Sequence, residues 1–249
     1  RDLGWLLLRP WVAIPRLVRV LWSLAGLVLV LLLRGGSNDP AVQQGLARRI
    51  LNTLTGLGPC FIKLGQALST RPDLVRRDWL EELTRLQDDL PAFPHATALA
   101  CIREELGAPA EELFEEFPDT PIAAASLGQV YKARLQGQHW VAVKVQRPNL
   151  TFILRRDLVL IRALGVMTAP LLPLNLGFGL GGIIDEFGRS LFEEIDYGLE
   201  AANAERFSAL FADNDAVYIP KVERMLSSTR VLTTTWIDGA KMRDSEELR

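Results

Sequence analysis

The stretch that decides the fold is residues 123–145, which read AAASLGQVYKARLQGQHWVAVKV. Apolar and polar residues alternate with a period of two over residues 128–135 and again over residues 139–145. Gln136-Gly137-Gln138 lies between the two alternating segments. Alternation on both sides of a short turn predicts an antiparallel β-hairpin.

The second strand of this hairpin carries a lysine beside a small residue. Alternation places its three valines on one side of the strand, and on the other side Trp140, Ala142 and Lys144. A flat base and its phosphates have room to lie on this second side. In protein kinases the lysine of the third strand holds the α- and β-phosphates and is itself held by a glutamate on the following helix.

The turn before the hairpin is built from alanine. Ala123, Ala124 and Ala125 precede Ser126, and Gly128 is the one glycine in the turn. Glycines in such a turn normally let backbone N–H groups approach phosphate oxygens. We therefore expect phosphate to be positioned differently here than in a glycine-rich loop.

An acidic helix is predicted from Ile184 to Leu210, because apolar residues recur there at spacings of three and four. In one continuous helix, Asp196 and Glu200 share a flank while Glu194 lies on the opposite flank. We expect Glu200 or Asp196 to hold Lys144, which leaves Glu194 available for a second lysine.

That second lysine lies in a short helix predicted between Pro59 and the break at Arg71-Pro72. Lys63 and Gln66 lie one turn apart on its polar edge, with Gly65 between them. Glycine costs about 1 kcal/mol relative to alanine inside a helix, which suggests a close approach to the backbone. We expect Glu194 to reach Lys63 if this helix packs over the cleft.

The most apolar part of the chain is residues 5–33. Aromatic and basic residues gather towards one end of it, as they do at a membrane interface, namely Trp5, Trp11, Trp22, Arg9, Arg16 and Arg19. Three interpretations remain open: a short membrane span, a helix in the membrane plane and a buried core helix. Arg34-Gly35-Gly36 lacks the small-residue pattern of a signal-peptide cleavage site.

Composition excludes some classes of partner and site. The 249 residues include 28 basic and 30 acidic side chains, so nothing suggests nucleic acid as a partner. Cys60 and Cys101 share no metal-binding spacing, so we expect buried free thiols and no metal site. Gly177, Gly179 and Gly182 fit a dinucleotide-binding pattern, but the proline-interrupted residues 170–174 make a poor preceding strand.

Four segments together resemble the UbiB family of atypical kinases: KLGQ at 63–66, AAASLGQVYKA at 123–133, VAVKVQRP at 141–148 and EIDYGLEAAN at 194–203. The resemblance covers residues 41–242, and the segment ALSTRPDL at 67–74 is similar to the corresponding segment of cyanobacterial and plastid members. It implies ATP and Mg²⁺ as cofactors, and a membrane lipid or isoprenoid quinone precursor and quinone-biosynthesis proteins as partners. It also implies a membrane-associated, cytoplasm-facing location in a bacterium or plastid.

The resemblance also implies roles for individual residues. Lys63 would be an inhibitory lysine that occludes protein substrates, with Gln66 beside it and Glu194 and Asp196 as its partners. Lys144 and Glu200 would form the ion pair of the lobe. The nucleotide-binding residues would be Ala123, Ala124, Ala125, Ser126, Gly128, Val130, Ala142, Lys144 and Trp236.

The predicted architecture is α+β, a protein-kinase-like N-lobe with an antiparallel sheet and a C-type helix. We expect a membrane-associating segment at 1–36, a helical extension at 40–117 and the N-lobe at 118–249. A second strand pair is predicted at 217–222 and 229–236, and residues 237–239 are interpreted as a hinge to the adenine. We expect a fragment without its C-lobe, whose catalytic and metal-binding residues lie beyond Arg249.

Two function classes fit these residues. The first is an ATP-dependent atypical kinase or ATPase that supports quinone biosynthesis or lipid homeostasis. The second is a membrane-tethered pseudokinase scaffold that binds nucleotide without transfer, which the missing glycines favour.

Overall fold

A computed structural model describes residues 4, 8–73, 75–84, 91–137, 139–168 and 179–239 of the chain. The helices are α1 Pro10–Arg34, α2 Pro40–Leu57, α3 Pro59–Ser69, α4 Arg77–Thr84, α5 His95–Leu106, α6 Ala110–Leu113, α7 Leu150–Thr168, α8 Leu180–Glu194 and α9 Tyr197–Leu210. The strands are β1 Ala123–Ala124, β2 Gly128–Arg134, β3 Trp140–Gln146 and β4 Val231–Thr235, with a 3₁₀ turn at Arg224–Leu226.

The chain divides into two compact units. The first contains residues 1–91, 124–127 and 148–193, and the second contains residues 92–123, 128–147 and 194–249. The boundary between these units differs from the predicted boundary between the helical extension and the N-lobe, which is at residue 117. Helix α5 belongs with the sheet because Ala98 and Ile102 are fully buried in the same core as the β3 valines.

The first unit is helical. Prolines begin α1, α2 and α3, where a missing N–H costs nothing, and Gly58 with a φ of 95° separates α2 from α3. Its buried interior includes Leu46, Leu54, Leu57, Phe61, Leu83, Leu154 and Leu191. The short helix predicted after Pro59 is confirmed as α3.

Helix α1 is the apolar N-terminal segment, and it packs within this unit. Arg16 on α1 donates from Nε to Asp157 Oδ1 at 2.9 Å and from NH2 to Oδ2 at 2.6 Å, and both side chains are buried. Val20 and Leu27 of α1 are also buried. By length and composition α1 could cross a membrane, with a mean hydropathy of 2.1 over 18 residues and 11% of that window buried.

The second unit is built on a four-stranded sheet with the order β1-β2-β3-β4, in which β2, β3 and β4 are antiparallel neighbours. The predicted hairpin is confirmed, and Gly137 in its turn has a φ of 101°. One face of the sheet packs on α5 and α6 through Tyr131, the β3 valines and Phe114. The other packs on α9 through Leu232, Tyr197 and Ala201.

The predicted second strand pair is wrong in part. Val231–Thr235 forms β4, but residues 217–222 make only an isolated bridge from Val222 to Thr234. Pro220 has no N–H to donate, which limits ladder formation in that segment. The combination of helices with an antiparallel sheet agrees with the predicted α+β class.

The single helix predicted from Ile184 to Leu210 is also wrong. Helix α8 ends at Glu194 and α9 begins at Tyr197, so Ile195 and Asp196 form a break between two helices. Leu199, predicted to face inward, is 47% exposed. The proline-interrupted segment 170–174, Gly177, the proposed bilayer contacts Leu171, Leu172, Leu176 and Phe178, and Trp5 all lie outside the described residues.

Candidate functional site

The candidate site lies on the face of the sheet that α9 partly covers. Val130 is paired directly with Lys144, and Lys132 with Ala142. Directly paired residues in an antiparallel ladder project on the same face of a sheet. These four side chains therefore share one half-exposed face, while the β3 valines are buried on the other, as the sequence predicts.

Lys144 is held by Glu200 of α9. Its Nζ donates to Glu200 Oε1 at 2.9 Å and to Oε2 at 2.6 Å, so both carboxylate oxygens are engaged. The same ammonium lies 4.5 Å from the centre of the Tyr197 ring. The side chains of Lys144 and Glu200 are 33% and 44% exposed, which leaves the ammonium accessible to a ligand. Of the two predicted carboxylates, Glu200 makes this contact.

Asp196 begins α9. Its Oδ1 accepts hydrogen bonds from the backbone N–H groups of Gly198 at 2.9 Å and Leu199 at 3.3 Å, which is N-cap geometry. The predicted alternative, in which Asp196 holds Lys144 from the flank of a continuous helix, is therefore wrong. Both cap bonds use Oδ1, so Oδ2 can still accept a further hydrogen bond.

The start of α9 is fixed to the sheet by two further hydrogen bonds. Gln146 at the end of β3 donates from Nε2 to the carbonyl oxygen of Ile195 at 2.6 Å. The backbone N–H of Tyr197 donates to the carbonyl oxygen of Thr229 at 3.1 Å, just before β4. These bonds place Glu200, one turn into α9, over Lys144.

Tyr197 is completely buried, and its hydroxyl lies next to Gly128 at the start of β2. Its hydroxyl has no hydrogen-bond partner among the described residues. Burial raises the pKa of this hydroxyl, and the negative charges of Glu200 and Glu194 raise it further, so it stays protonated at physiological pH. Tyr197 therefore offers a neutral ring face to the lysine.

The far end of the same face is aromatic. Lys132 Nζ lies 4.7 Å from the centre of the Trp236 ring and 5.1 Å from that of Trp140. The backbone N–H of Trp236 donates to the carbonyl oxygen of Trp140 at 2.9 Å, which extends the ladder past β4. Trp236 also donates from Nε1 to Asp238 at 2.7 Å. The predicted hinge, residues 237–239, follows without regular structure.

The alanine turn begins as a strand. Ala123 and Ala124 form β1, and Ile122 before them donates its N–H to the Val130 carbonyl oxygen at 2.8 Å. Ser126 is buried and Ala125 is exposed. Residues 124–127 group with the first unit and Gly128 with the second.

Lys63 and Gln66 lie in the first unit, whereas the carboxylates Glu194, Asp196 and Glu200 lie in the second. On α3 both Lys63 and Gln66 are half-buried, and Gly65 between them is buried. The burial of Gly65 agrees with a close approach to the helix backbone. The contact between Lys63 and Glu194 stays a prediction.

The residues that the structure describes contain no group of three or more His, Cys, Asp or Glu side chains able to hold a metal ion. Cys60 and Cys101 are both free thiols, the first buried and the second half-buried.

Three residues of this face were missed by the sequence analysis: Tyr197, Gln146 and Lys132. The signal for Tyr197 was present, because an aspartate directly before an apolar residue is a common N-cap. The continuous spacing of apolar residues across positions 184–202 concealed it. Gln146 and Lys132 carry no local signal, since their roles depend on partners from other strands and helices.

Comparison with known proteins agrees with this geometry. The family description "ABC1 atypical kinase-like domain" matches residues 85–249. The Synechocystis protein slr1919 is 46% identical over 242 residues, which covers 97% of this chain and 43% of the relative. The chloroplastic protein ACTIVITY OF BC1 COMPLEX KINASE 1 of Arabidopsis thaliana is 46% identical over 212 residues, covering 85% of this chain and 31% of the relative.

A solved structure is also similar, that of Rv3197 from Mycobacterium tuberculosis in complex with erythromycin. It is 34% identical, with a TM-score of 0.52, and the match covers 72% of this chain and 45% of that chain. The chain thus spans less than half the length of each of these relatives.

Proposed function

The chain belongs to the family of ABC1 atypical kinase-like domains, and we propose that it supplies the nucleotide-binding lobe of an atypical kinase or ATPase working at a membrane. The observation that carries this proposal is the contact of Lys144 with both oxygens of Glu200. In protein kinases this ion pair orients the lysine towards the α- and β-phosphates of ATP.

The face around Lys144 fits a nucleotide. Val130 and Ala142 offer a small, half-exposed apolar surface on which a purine ring can lie. Lys144 at one end of this surface supplies a positive charge for phosphate, while Glu200 and the Tyr197 ring hold the ammonium in place. Trp236 at the other end leads into the segment proposed as the hinge.

The fit for Mg²⁺ is different, because the described residues form no metal-binding cluster. In the proposal Mg²⁺ enters with the nucleotide phosphates. Bound Mg-ATP would supply the phosphoryl group. Residues of this chain would bind and orient the nucleotide.

We propose a lipid of the isoprenoid quinone type, or water, as the acceptor of phosphate. The resemblance to the UbiB family supports a role in quinone biosynthesis or homeostasis, and the exposed apolar residues of α1 support a membrane location. Lys63, with Gln66 beside it, would occupy the cleft and exclude protein substrates. Glu194, and Asp196 through its remaining oxygen, would be its partners.

The alternative is a membrane-tethered scaffold that binds nucleotide without transferring phosphate. Alanines at positions 123 to 125 favour it, because their Cβ atoms hinder the approach of phosphate to the backbone. Measuring phosphate release separates the two functions. A full-length protein that binds Mg-ATP but releases no phosphate, with or without lipid vesicles, is the scaffold.

The central test is Lys144→Met in the full-length protein. Mg-nucleotide affinity should fall about tenfold or more, because a charge-assisted contact to phosphate is removed. The unfolding midpoint without nucleotide should change little, since exposed ion pairs contribute less than about 1 kcal/mol. Lys221→Met is the matched control, because Lys221 is an exposed lysine paired only loosely with Glu223 at 3.6 Å. Equal thermal stabilisation of wild type and Lys144→Met by Mg-nucleotide would refute the proposal.

A further inference from the structure

A groove of about 910 Å³ runs between α1 and α2 within the first unit. Among the described residues, its lining includes four arginines and no acidic residue. Five further lining residues are small, so they let the two helices approach without filling the space between them. They are Ser23, Gly26, Ala41, Gly45 and Gly56. The groove is therefore a concave and positively charged site.

The four arginines differ in what already holds them. Arg19 donates from NH2 to the carbonyl oxygen of Gly56 at 2.9 Å, and Arg48 lies 3.4 Å from Glu82. Arg34 and Arg49 are exposed, and no acidic side chain of the described residues pairs with either. A Cβ atom built on Gly26 would lie 4.0 Å from Arg49 NH2, so Arg49 reaches across the groove to α1. Two guanidinium groups at this site thus have no acidic partner in the described part of the chain.

The outer face of α1 beside the groove is apolar and exposed. Its exposed side chains are between 45% and 80% accessible, namely Trp11, Ile14, Val18, Leu21, Trp22, Val28, Leu29, Leu32 and Leu33. Successive helix residues rotate by about 100°, which puts all nine within one arc. Arg19, Ser23, Gly26 and Val30, which line the groove, occupy the adjoining arc. The arginine-lined groove therefore borders a continuous apolar surface.

The packing of α1 decides how this surface can meet a membrane. With 25 residues α1 is about 37 Å long, enough to span a bilayer. However, Arg16, Val20 and Leu27 hold one side of it against the first unit. A spanning α1 would carry Arg48 and Arg49 of α2 into the hydrocarbon, where each arginine costs about 2.5–3.5 kcal/mol. This packing favours a helix that lies in the membrane plane.

We propose that the groove between α1 and α2 binds the phosphate of an anionic phospholipid, whose acyl chains lie along the exposed apolar face of α1. The inference shares with the proposed function only the membrane location, and it is independent of the nucleotide chemistry. Arg34 and Arg49 hold the phosphate by charge-assisted hydrogen bonds, and Trp22 lies at the border of groove and apolar face. A soluble anion would use the groove but not the apolar face, whereas a phospholipid uses both.

The test measures co-sedimentation of the full-length protein with phosphatidylcholine vesicles containing either no phosphatidylglycerol or about 30% of it. The wild type should bind the anionic vesicles about tenfold more tightly or better, since a basic residue near an anionic surface contributes about 1 kcal/mol. Arg34→Glu/Arg49→Glu should abolish this preference. The matched control is Arg103→Glu/Arg206→Glu, the same change of charge at two exposed arginines outside the groove.

A second variant distinguishes a phosphate site from general attraction to the surface. Arg34→Lys/Arg49→Lys keeps the charge but loses the planar fork of guanidinium. We expect this variant to bind anionic vesicles several-fold more weakly than wild type. Unchanged binding by the lysine variant, equal losses in the groove and control variants, or no lipid preference in wild type would each overturn the proposal.

Two further measurements exclude other occupants. Inorganic phosphate that binds without vesicles, and loses affinity in Arg34→Glu/Arg49→Glu, would identify a soluble anion and refute the lipid. Self-association without vesicles that Trp22→Ser abolishes would assign the apolar face to a second copy of the chain. Mg-nucleotide binding measured on the same variants should be unchanged. Loss of nucleotide binding in Lys144→Met with vesicle binding intact keeps the two proposals separately testable.

Discussion

Gly128 lies so close to Tyr197 that a Cβ atom on residue 128 would be 2.5 Å from the Tyr197 hydroxyl oxygen. The same atom would be 2.6 Å from the carbonyl oxygen of Val145. The one glycine in the alanine-rich turn therefore has a packing role, because it lets the tyrosine ring reach Lys144.

Gly128→Ala should destabilise the second unit by about 1–3 kcal/mol, the usual cost of overpacking a well-filled interior. Urea unfolding followed by circular dichroism measures this change. Gly128→Ala/Tyr197→Phe removes one of the two clashing oxygens and should recover part of the loss. Tyr197→Phe alone should be close to neutral, because the hydroxyl makes no hydrogen bond to a described residue. A large loss in Tyr197→Phe would mean that the hydroxyl has a partner.

Asp157→Asn should be strongly destabilising, because it leaves the buried guanidinium of Arg16 without its counter-charge. Breaking a buried ion pair from one side typically costs about 3–5 kcal/mol. Asp185→Asn is the matched control, since the Arg162–Asp185 pair has the same contact distance of 2.6 Å but both side chains are about half exposed. Unfolding midpoints in urea should fall far more for the first variant. Equal shifts would show that the buried Arg16–Asp157 pair contributes no more to stability than the exposed Arg162–Asp185 pair.

The Cys60 thiol should be almost unreactive in the native protein. Burial raises its pKa to about 12, and the negative charge of Asp157 adds to this, so little thiolate forms at pH 8. Iodoacetamide labelling read by mass spectrometry should modify Cys101, which is half-buried, well before Cys60. Both should react at similar rates in guanidinium chloride. Rapid native labelling of Cys60 would contradict its burial.

Ala124→Gly in the full-length protein should loosen the turn and change the relative affinities for ATP and ADP. Glycine frees the backbone that alanine restricts, and it removes the Cβ atom that we propose hinders the approach of phosphate. Titration with each nucleotide measures the effect, with Ala202→Gly on the exposed side of α9 as a control for general loosening. Unchanged affinities for both nucleotides would count against a phosphate-positioning role of the turn.

The hairpin and the lysine face could be predicted from sequence because both depend on local alternation. Period-two patterning fixes which side of a strand each residue occupies, so Lys144 and Ala142 follow directly from the valines between them. For the partner of Lys144, the residue pattern leaves Glu200 and Asp196 as alternatives, and the family resemblance implies Glu200.

The break between α8 and α9 could not be found from periodicity. Apolar residues at 191, 195 and 199 continue a helical spacing through a segment where the backbone leaves the helix. Hydrogen bonds from Gln146 and to Thr229 stabilise that break, and both partners are distant in sequence. Local spacing contains no information about them.

The partner of Arg16 could not be found from local spacing either. The sequence pattern places Arg16 in an interfacial basic belt, yet its side chain is buried against Asp157, 141 residues further along the chain. An arginine in an apolar helix is compatible with a membrane-interface position or with a buried ion pair. Only the folded arrangement of α1 and α7 distinguishes the two.

The two hydrogen bonds that tie the first turn of α9 to the sheet make that turn a fixed pivot. A swing of the helix about Tyr197 would give a displacement that grows along its 14 residues towards Leu210, about 20 Å away. Glu200 is close to the pivot and moves least. A partner that displaces the distal end of α9 would therefore leave the ion pair between Glu200 and Lys144 intact.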